Sequence, residues 1–278
     1  MRRTATLGAV ALSTAVIELL QRPQVVGEVV AVHRAAVNLR LGTSSVTLAR
    51  EGVGGLPDGI LLTDAFDPRG LELHAGLLAS ADATSVRLAD RLVVDLRGAV
   101  RWSPRPGVHK SAPRDLADRS ARLRAALEAA GRSGFDGFPI PATTHLEGFR
   151  GAVIGGGPGA LAAAGIPLIG LGAGLTPSGD DLLVGLSAAM TCLGDPRGQW
   201  LAGTWATASA GRTTFVAESF HRHAARGEYA ERLTRVIGAI IEEDGAGIDA
   251  ALAFAAGFGA TSGVDTLLGV AFGLEAAA

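Results

Sequence analysis

Ile169-Gly170-Leu171-Gly172-Ala173-Gly174-Leu175-Thr176-Pro177-Ser178-Gly179-Asp180-Asp181-Leu182-Leu183-Val184-Gly185 reads as a glycine-rich turn running into a helix. Gly170, Gly172 and Gly174 alternate, which permits positive φ and a close approach of the backbone to a ligand. Ser178 is the expected N-cap. Asp181, three residues on, completes a variant of the capping box with Asp in place of Glu or Gln. Leu182, Leu183, Leu186, Ala189, Met190 and Leu193 then fall on an inward face. A helix start behind such a turn offers unpaired N–H groups that suit an anion. Asp180 and Asp181 complicate this, because carboxylates repel a phosphate unless a metal ion or an arginine lies between. One is free to cap the helix, the other to hold a metal, an ammonium or a substrate amide. A plain capped helix would explain Ser178 and one aspartate, but it needs neither the three glycines nor the second acid.

Working outward, the chain from about Thr144 to the end reads as helix after helix. In 228–243, Tyr229, Leu233, Val236, Ile237, Ile240 and Ile241 recur on one face, with Gly227 and Gly245 as brackets. In 214–226, Val216, Phe220 and Ala224 share a side. Upstream, 115–130 is helical and stopped by Gly131, and 135–141 is a loop. The stretch 103–113, with Pro104, Pro106 and Pro113, is a connector. Before it the period changes to short strands at 25–32, 36–41, 46–49, 59–62, 92–96 and 99–102, separated by turns such as Gly42-Thr43-Ser44 and Leu56-Pro57-Asp58-Gly59. Residues 5–20 read as a helix packed on the fold. The expectation is an α+β chain: a mostly β, barrel- or sandwich-like part (1–110, with a leading helix), then an all-helical part (111–278) carrying the turn.

Composition narrows the function. The 278 residues carry a net charge of −2 and no basic stripe, which argues against a nucleic-acid partner. No run reaches the ~20 uncharged apolar residues that span a membrane. Met1-Arg2-Arg3 and the apolar run after it imitate a secretory signal, but Glu18 interrupts the run. A cytoplasmic protein is expected. Cys192, the single cysteine, lies in an apolar stretch and reads as core. Lys110 is the single lysine, so no lysine adjoins the glycine turn and arginine is the main cation.

Ser262-Gly263-Val264-Asp265-Thr266-Leu267-Leu268-Gly269 lines up with Ser178–Gly185 in serine, glycine, aspartate, leucine and glycine. The two helix starts are expected to face one ligand, with Ser262 and Asp265 on its far side, although two similar caps would produce the same pattern. Arg212-Thr213-Thr214 opens another helix, with Thr213 or Thr214 as cap and Arg212 as a cation for phosphate or carboxylate. The stretch Val153-Ile154-Gly155-Gly156-Gly157-Pro158-Gly159 imitates a dinucleotide fingerprint, but that motif needs a strand before it and a long helix after it, and Gly165-Ile166-Pro167 ends the helix early. No cofactor and no metal ligand set is assigned. His221 and His223, two apart, make no zinc pair.

The central stretch 169–185 closely resembles the signature of the AllH (YlbF-like) family, and the resemblance continues at Arg212-Thr213-Thr214 and at Ser262-Gly263-Val264-Asp265-Thr266-Leu267. Ala173 stands where proline is expected in much of the family. The resemblance implies a subunit of an oxamate carbamoyltransferase, assembled from three different proteins. That enzyme interconverts oxalurate and phosphate with oxamate and carbamoyl phosphate, in allantoin and purine nitrogen breakdown. Site residues are then expected at Asp180 and Asp181 (catalytic), and at Gly170, Gly172, Gly174, Thr176, Ser178, Gly179, Arg212, Thr213, Thr214, Ser262 and Asp265 (binding a small anionic substrate). A non-catalytic module that binds a small anion or nucleotide and regulates or scaffolds a partner is the alternative.

Overall fold

The computed structural model describes residues 4–21, 24–109, 114–131, 133, 135, 140–242, 246–257, 259 and 261–278. Met1 to Arg3, Lys110, Pro113, Gly245 and the middle of the loop expected at 135–141 therefore lie outside the described residues. The chain divides into two compact units, Met1–Pro104 and Arg105–Ala278.

The first unit holds β1 (Ala5–Ser13), α1 (Thr14–Leu20), β2 (Val25–Val32), β3 (Ala36–Leu41), β4 (Ser44–Arg50), β5 (Gly59–Leu62), β6 (Leu78–Ala81), β7 (Ser85–Leu88), β8 (Leu92–Asp95) and β9 (Val100–Trp102). The strands follow the order β5-β4-β3-β2-β6-β7-β8-β1, and β1 also pairs with β5, which closes an eight-stranded barrel with β9 added on β1. Closure removes the open edges that a flat sheet would expose. Inward side chains such as Val37, Leu39, Leu48, Ile60, Leu88 and Leu92 are fully buried and form one core. The expected turn at Gly42 joins β3 to β4, with Leu41 opposite Ser44 and Gly42 at φ 60°.

Residues 5–13 are a strand, not the first half of a leading helix. Ala5, Leu7 and Ala9 pack toward the barrel core while Thr6 and Gly8 are exposed, a period of two. Backbone pairing with β5, β8 and β9 outweighs the weak helical preference of a segment holding Gly8, Thr6 and Val10. The helix starts only at Thr14, where the Ser13 side chain accepts from the N–H of Ala15 at 3.3 Å.

The second unit is helical among its described residues: α2 (Leu116–Ala130), α3 (Ile140–Gly155), α4 (Pro158–Gly165), a 3-10 turn (Ile166–Leu168), α5 (Ser178–Cys192), α6 (Pro196–Ser209), α7 (Phe215–Ala225), α8 (Glu231–Glu242), α9 (Ala246–Gly257) and α10 (Ser262–Ala277). Gly131, at φ 64°, ends α2 as expected. Ile140 already belongs to α3, so the expected loop is shorter than 135–141. Val153 to Gly155 end α3, where a dinucleotide fingerprint would need a strand. The helix expected from Glu228 starts at Glu231, because Gly227, at φ 71°, turns the chain and Glu228 pairs back onto His223 at 2.8 Å. Cys192 is buried, and burial pushes its thiol up to about 12.

What positions the rest of this unit is the contact between α5 and α10. A Cβ built on Gly185 would fall 1.9 Å from the Thr266 carbonyl oxygen, and one on Gly269 would fall 2.0 Å from the Leu182 carbonyl oxygen. Further along, a Cβ on Gly273 would fall 2.6 Å from the Leu186 carbonyl oxygen. Contacts ascend together in both helices, from Leu182 with Gly269 to Leu186 with Gly273, so α5 and α10 run parallel with their N-termini at the same end. Only glycine lets two helix backbones come this close.

Candidate functional site

Each of these two helices begins one residue earlier than a serine cap requires. Pro177 and Thr261 occupy the cap positions, and neither makes a side-chain cap bond. Ser178 and Ser262 are thus first helical residues, and Asp181 completes no capping box. This corrects the capping read from the sequence. The physical reason at Ser178 is crowding. A Cβ on Gly172 would sit 2.6 Å from the Ser178 nitrogen, so the turn folds directly over the helix start, and Gly172 holds φ 126°, a conformation that side chains resist.

The turn is fixed at its base and open at its tip. The Gly170 N–H donates to Asp180 Oδ2 at 3.1 Å, and the Gly179 N–H donates to the Leu171 carbonyl at 2.9 Å. Ala173 and Gly174 are exposed. Among the described residues, no protein acceptor takes the amide hydrogens of Gly172, Ala173, Gly174, Leu175, Thr176 or Ser178. These amides, the last of them at the first residue of α5, are thus left without a protein partner among the described residues.

Asp180 is the tie of the site. Its Oδ2 accepts from Gly170 and from the Thr213 hydroxyl at 2.6 Å, while Oδ1 lies 2.7 Å from His221 Nε2. His221 is only 1% exposed and Asp180 2%, so this is a buried pair. Thr214 caps α7, accepting from the Ala217 N–H at 3.1 Å, and its hydroxyl donates to the Leu175 carbonyl. The start of α7 therefore grips both ends of the 170–175 turn.

Asp181 points elsewhere. The hydroxyls of Thr176 and Ser262 face its carboxyl group, yet they lie 2.9 Å apart and hydrogen-bond to each other. Its Oδ2 is buried with no hydrogen-bond partner. Burial first, and then the charges of Asp265 and Asp180, push its pKa well above the ordinary value of 3.8, against the opposing pull of the two hydroxyls. Asp265 is fully buried and accepts from the Ser133 hydroxyl at 3.0 Å.

The structure thus brings together Gly170, Gly172, Thr176, Ser178, Gly179, Asp180, Asp181, Thr213, Thr214, Ser262 and Asp265. Gly174 stays at the exposed tip. The backbone of Arg212 packs against Gly170, whereas its guanidinium is exposed and makes no ion pair or hydrogen bond among the described residues. His221, which the sequence placed at most on the border of the site and did not assign to it, lies within it, 2.7 Å from Asp180. The available signal was its place seven residues after the cap Thr214, hence on the same helix face. Among the described residues, no group of three His, Cys, Asp or Glu side chains is arranged to hold a metal ion, and no helix is long and apolar enough to cross a membrane.

No curated protein and no solved structure matches the chain. The family resemblance read from the central motif is borne out over the residues that build the site: residues 168–274, from the end of the 3-10 turn to near the end of α10, match the family model of the oxamate carbamoyltransferase subunit AllH.

Proposed function

We propose that the chain is a component of a carbamoyltransferase acting on oxamate or oxalurate and carbamoyl phosphate, working with other protein subunits, and that it binds a small anion where α5 and α10 begin. The observation that carries this reading is the pairing of two parallel helix N-termini beneath a turn whose amide hydrogens from Gly172 to Thr176 meet no acceptor among the described residues. Two helix dipoles then act on one point, and an anion there gains from both. Arg212, with its free guanidinium, supplies the countercharge at the rim. Asp180 is a positioning residue in this scheme, since both its oxygens are already engaged. Asp181 and Ser262 touch the ligand. The work asked of such a site is orientation and charge stabilisation.

The full occupation of Asp180 also favours a second reading, in which this chain binds the anion while the chemistry is completed by a partner. One experiment separates the two. The chain is reconstituted with its candidate partner subunits, and carbamoyl phosphate formation from oxalurate and phosphate is followed beside direct anion binding. Arg212→Ala is expected to weaken anion binding roughly ten- to hundredfold, the equivalent of one charge-assisted hydrogen bond. If turnover falls in parallel, the site is the catalytic one. If binding falls and turnover at saturation does not, the chain is a binding module. Unchanged binding and turnover in a folded variant would refute the anion site.

A further inference from the structure

We propose that Asp181 works as a neutral carboxylic acid, donating a hydrogen bond from Oδ2 to an oxygen of the bound anion. This rests on the anion reading above and adds the group that recognises the ligand. Protons are scarce around this carboxyl group. Asp181 is 6% exposed, and its Oδ2 meets no donor. The Thr176 and Ser262 hydroxyls carry one proton each, and one of these lies in their mutual hydrogen bond, so at most one is left for Asp181. A carboxylate in that place would be buried, short of donors and flanked by two further carboxyl groups, a costly arrangement. A neutral acid removes the charge and places an O–H on the unpartnered oxygen.

The neighbours explain why the proton belongs to Asp181 and not to either flanking acid. Asp180, the preceding residue of α5, already accepts from Gly170, Thr213 and His221, the last from α7. Asp265, from α10, accepts from Ser133. Asp181 faces both acids with one buried oxygen that meets no donor, and the shift of its pKa has the sign this requires. Arg212, exposed ahead of α7, is not among the charges acting on Asp181, which are those of Asp265 and Asp180. A hydrogen-bond donor also resolves the conflict of an acid at an anion site, since an ionised Asp181 would repel the ligand that the two helix starts attract. The consequence for pH follows directly. Anion binding is strong while Asp181 holds its proton and is lost as the pH rises through its raised pKa, about tenfold for each further pH unit when one proton must be retained.

Two measurements on the full chain test this. Infrared difference spectra between wild type and Asp181→Asn at pH 7 are expected to show the C=O stretch of a protonated carboxylic acid in the wild type alone. Oxamate binding, followed by calorimetry from pH 5 to 9, is expected to weaken with pH in the wild type. In Asp181→Asn, whose amide N–H replaces the donor, binding should stay within about threefold of the low-pH wild type and lose that pH dependence. Asp181→Ala should bind at least tenfold more weakly at every pH. If the infrared band is absent, or if Asp181→Asn binds oxamate more tightly at pH 7, Asp181 is an ionised group and the proposal is wrong while the anion site stands. If the wild type binds no oxamate at any pH, both are overturned.

Discussion

The helix starts at 178–185 and 262–269 share the pattern Ser-Gly-x-Asp-x-Leu-x-Gly, and their backbones answer each other. Gly185 rests on the carbonyl of Thr266, and Gly269 rests on the carbonyl of Leu182, which holds the same place in its own segment as Thr266. The two contacts are reciprocal, as a pseudo-twofold axis parallel to the helices would make them. The chemistry is not reciprocal. Where α5 has Asp180, α10 has Val264, and only the first can reach back to fix a turn. Asp265 has found a hydroxyl donor, whereas Asp181 Oδ2 has none. Glycines at equivalent places set the geometry of both segments, and one side chain in each decides what the segment does.

Replacing Asp180 is the hardest test of that asymmetry. Asp180→Ala leaves the Gly170 N–H, the Thr213 hydroxyl and His221 without their acceptor, and is expected to cost about 3–5 kcal/mol in urea unfolding. Val264→Ala, at the corresponding place in α10, removes only buried apolar surface and is expected to cost roughly 1.5 kcal/mol. Equal costs would mean that Asp180 holds nothing together and that the two segments differ only by chance.

A smaller loss is expected where the segments agree. Gly269→Ala brings a methyl group against the Leu182 backbone, which cannot rotate away, and should cost about 1–3 kcal/mol by overpacking. Gly185→Ala should behave alike, and the double variant should cost less than the sum, because helices already pushed apart accept the second methyl more easily. Gly203→Ala, in α6, meets nothing within 4 Å and should stabilise by about 0.5–1 kcal/mol through helix propensity. If Gly269→Ala resembled Gly203→Ala, the close parallel packing would be wrong.

The barrel was legible where β-branched runs sit between turn signals, so β2, β3 and β5 fall where the sequence placed them. β6 was not, because Ala79, Ser80 and Ala81 are small and carry no contrast between faces, and β7 alternates over only four residues. β1 was hidden for another reason. Its Ala and Leu residues fit a helix locally, and only pairing with three distant strands decides otherwise. In the site, the glycine turn, the acids and the echo at 262 were visible as residues. Their division of labour was not, since the bond from Asp180 to His221 joins α5 to α7 across 41 positions and exists only once those helices pack. The caps were misplaced by one residue because a serine just before an apolar run carries the same local signal whether or not a folded turn already covers the helix start.

Thr214 gives the finest comparison, since α7 has the side-chain cap that α5 and α10 lack. Its hydroxyl accepts from the Ala217 N–H and donates to the Leu175 carbonyl, so one group both starts a helix and holds the turn over another. Thr214→Ala should cost about 1 kcal/mol, an ordinary cap loss. Thr261→Ala, at a cap position with no side-chain cap bond, should change stability by no more than about 0.5 kcal/mol. Stability alone does not separate the two duties of Thr214, but Thr214→Ser keeps both and should restore the wild-type value. Amide hydrogen exchange does separate them. In Thr214→Ala, the N–H groups near Leu175 should exchange faster while those in the middle of α7 keep their protection, because losing the cap frays only its first turn. If the exchange changes were confined to α7, its cap would be a local feature of that helix with no hold on the 170–175 turn.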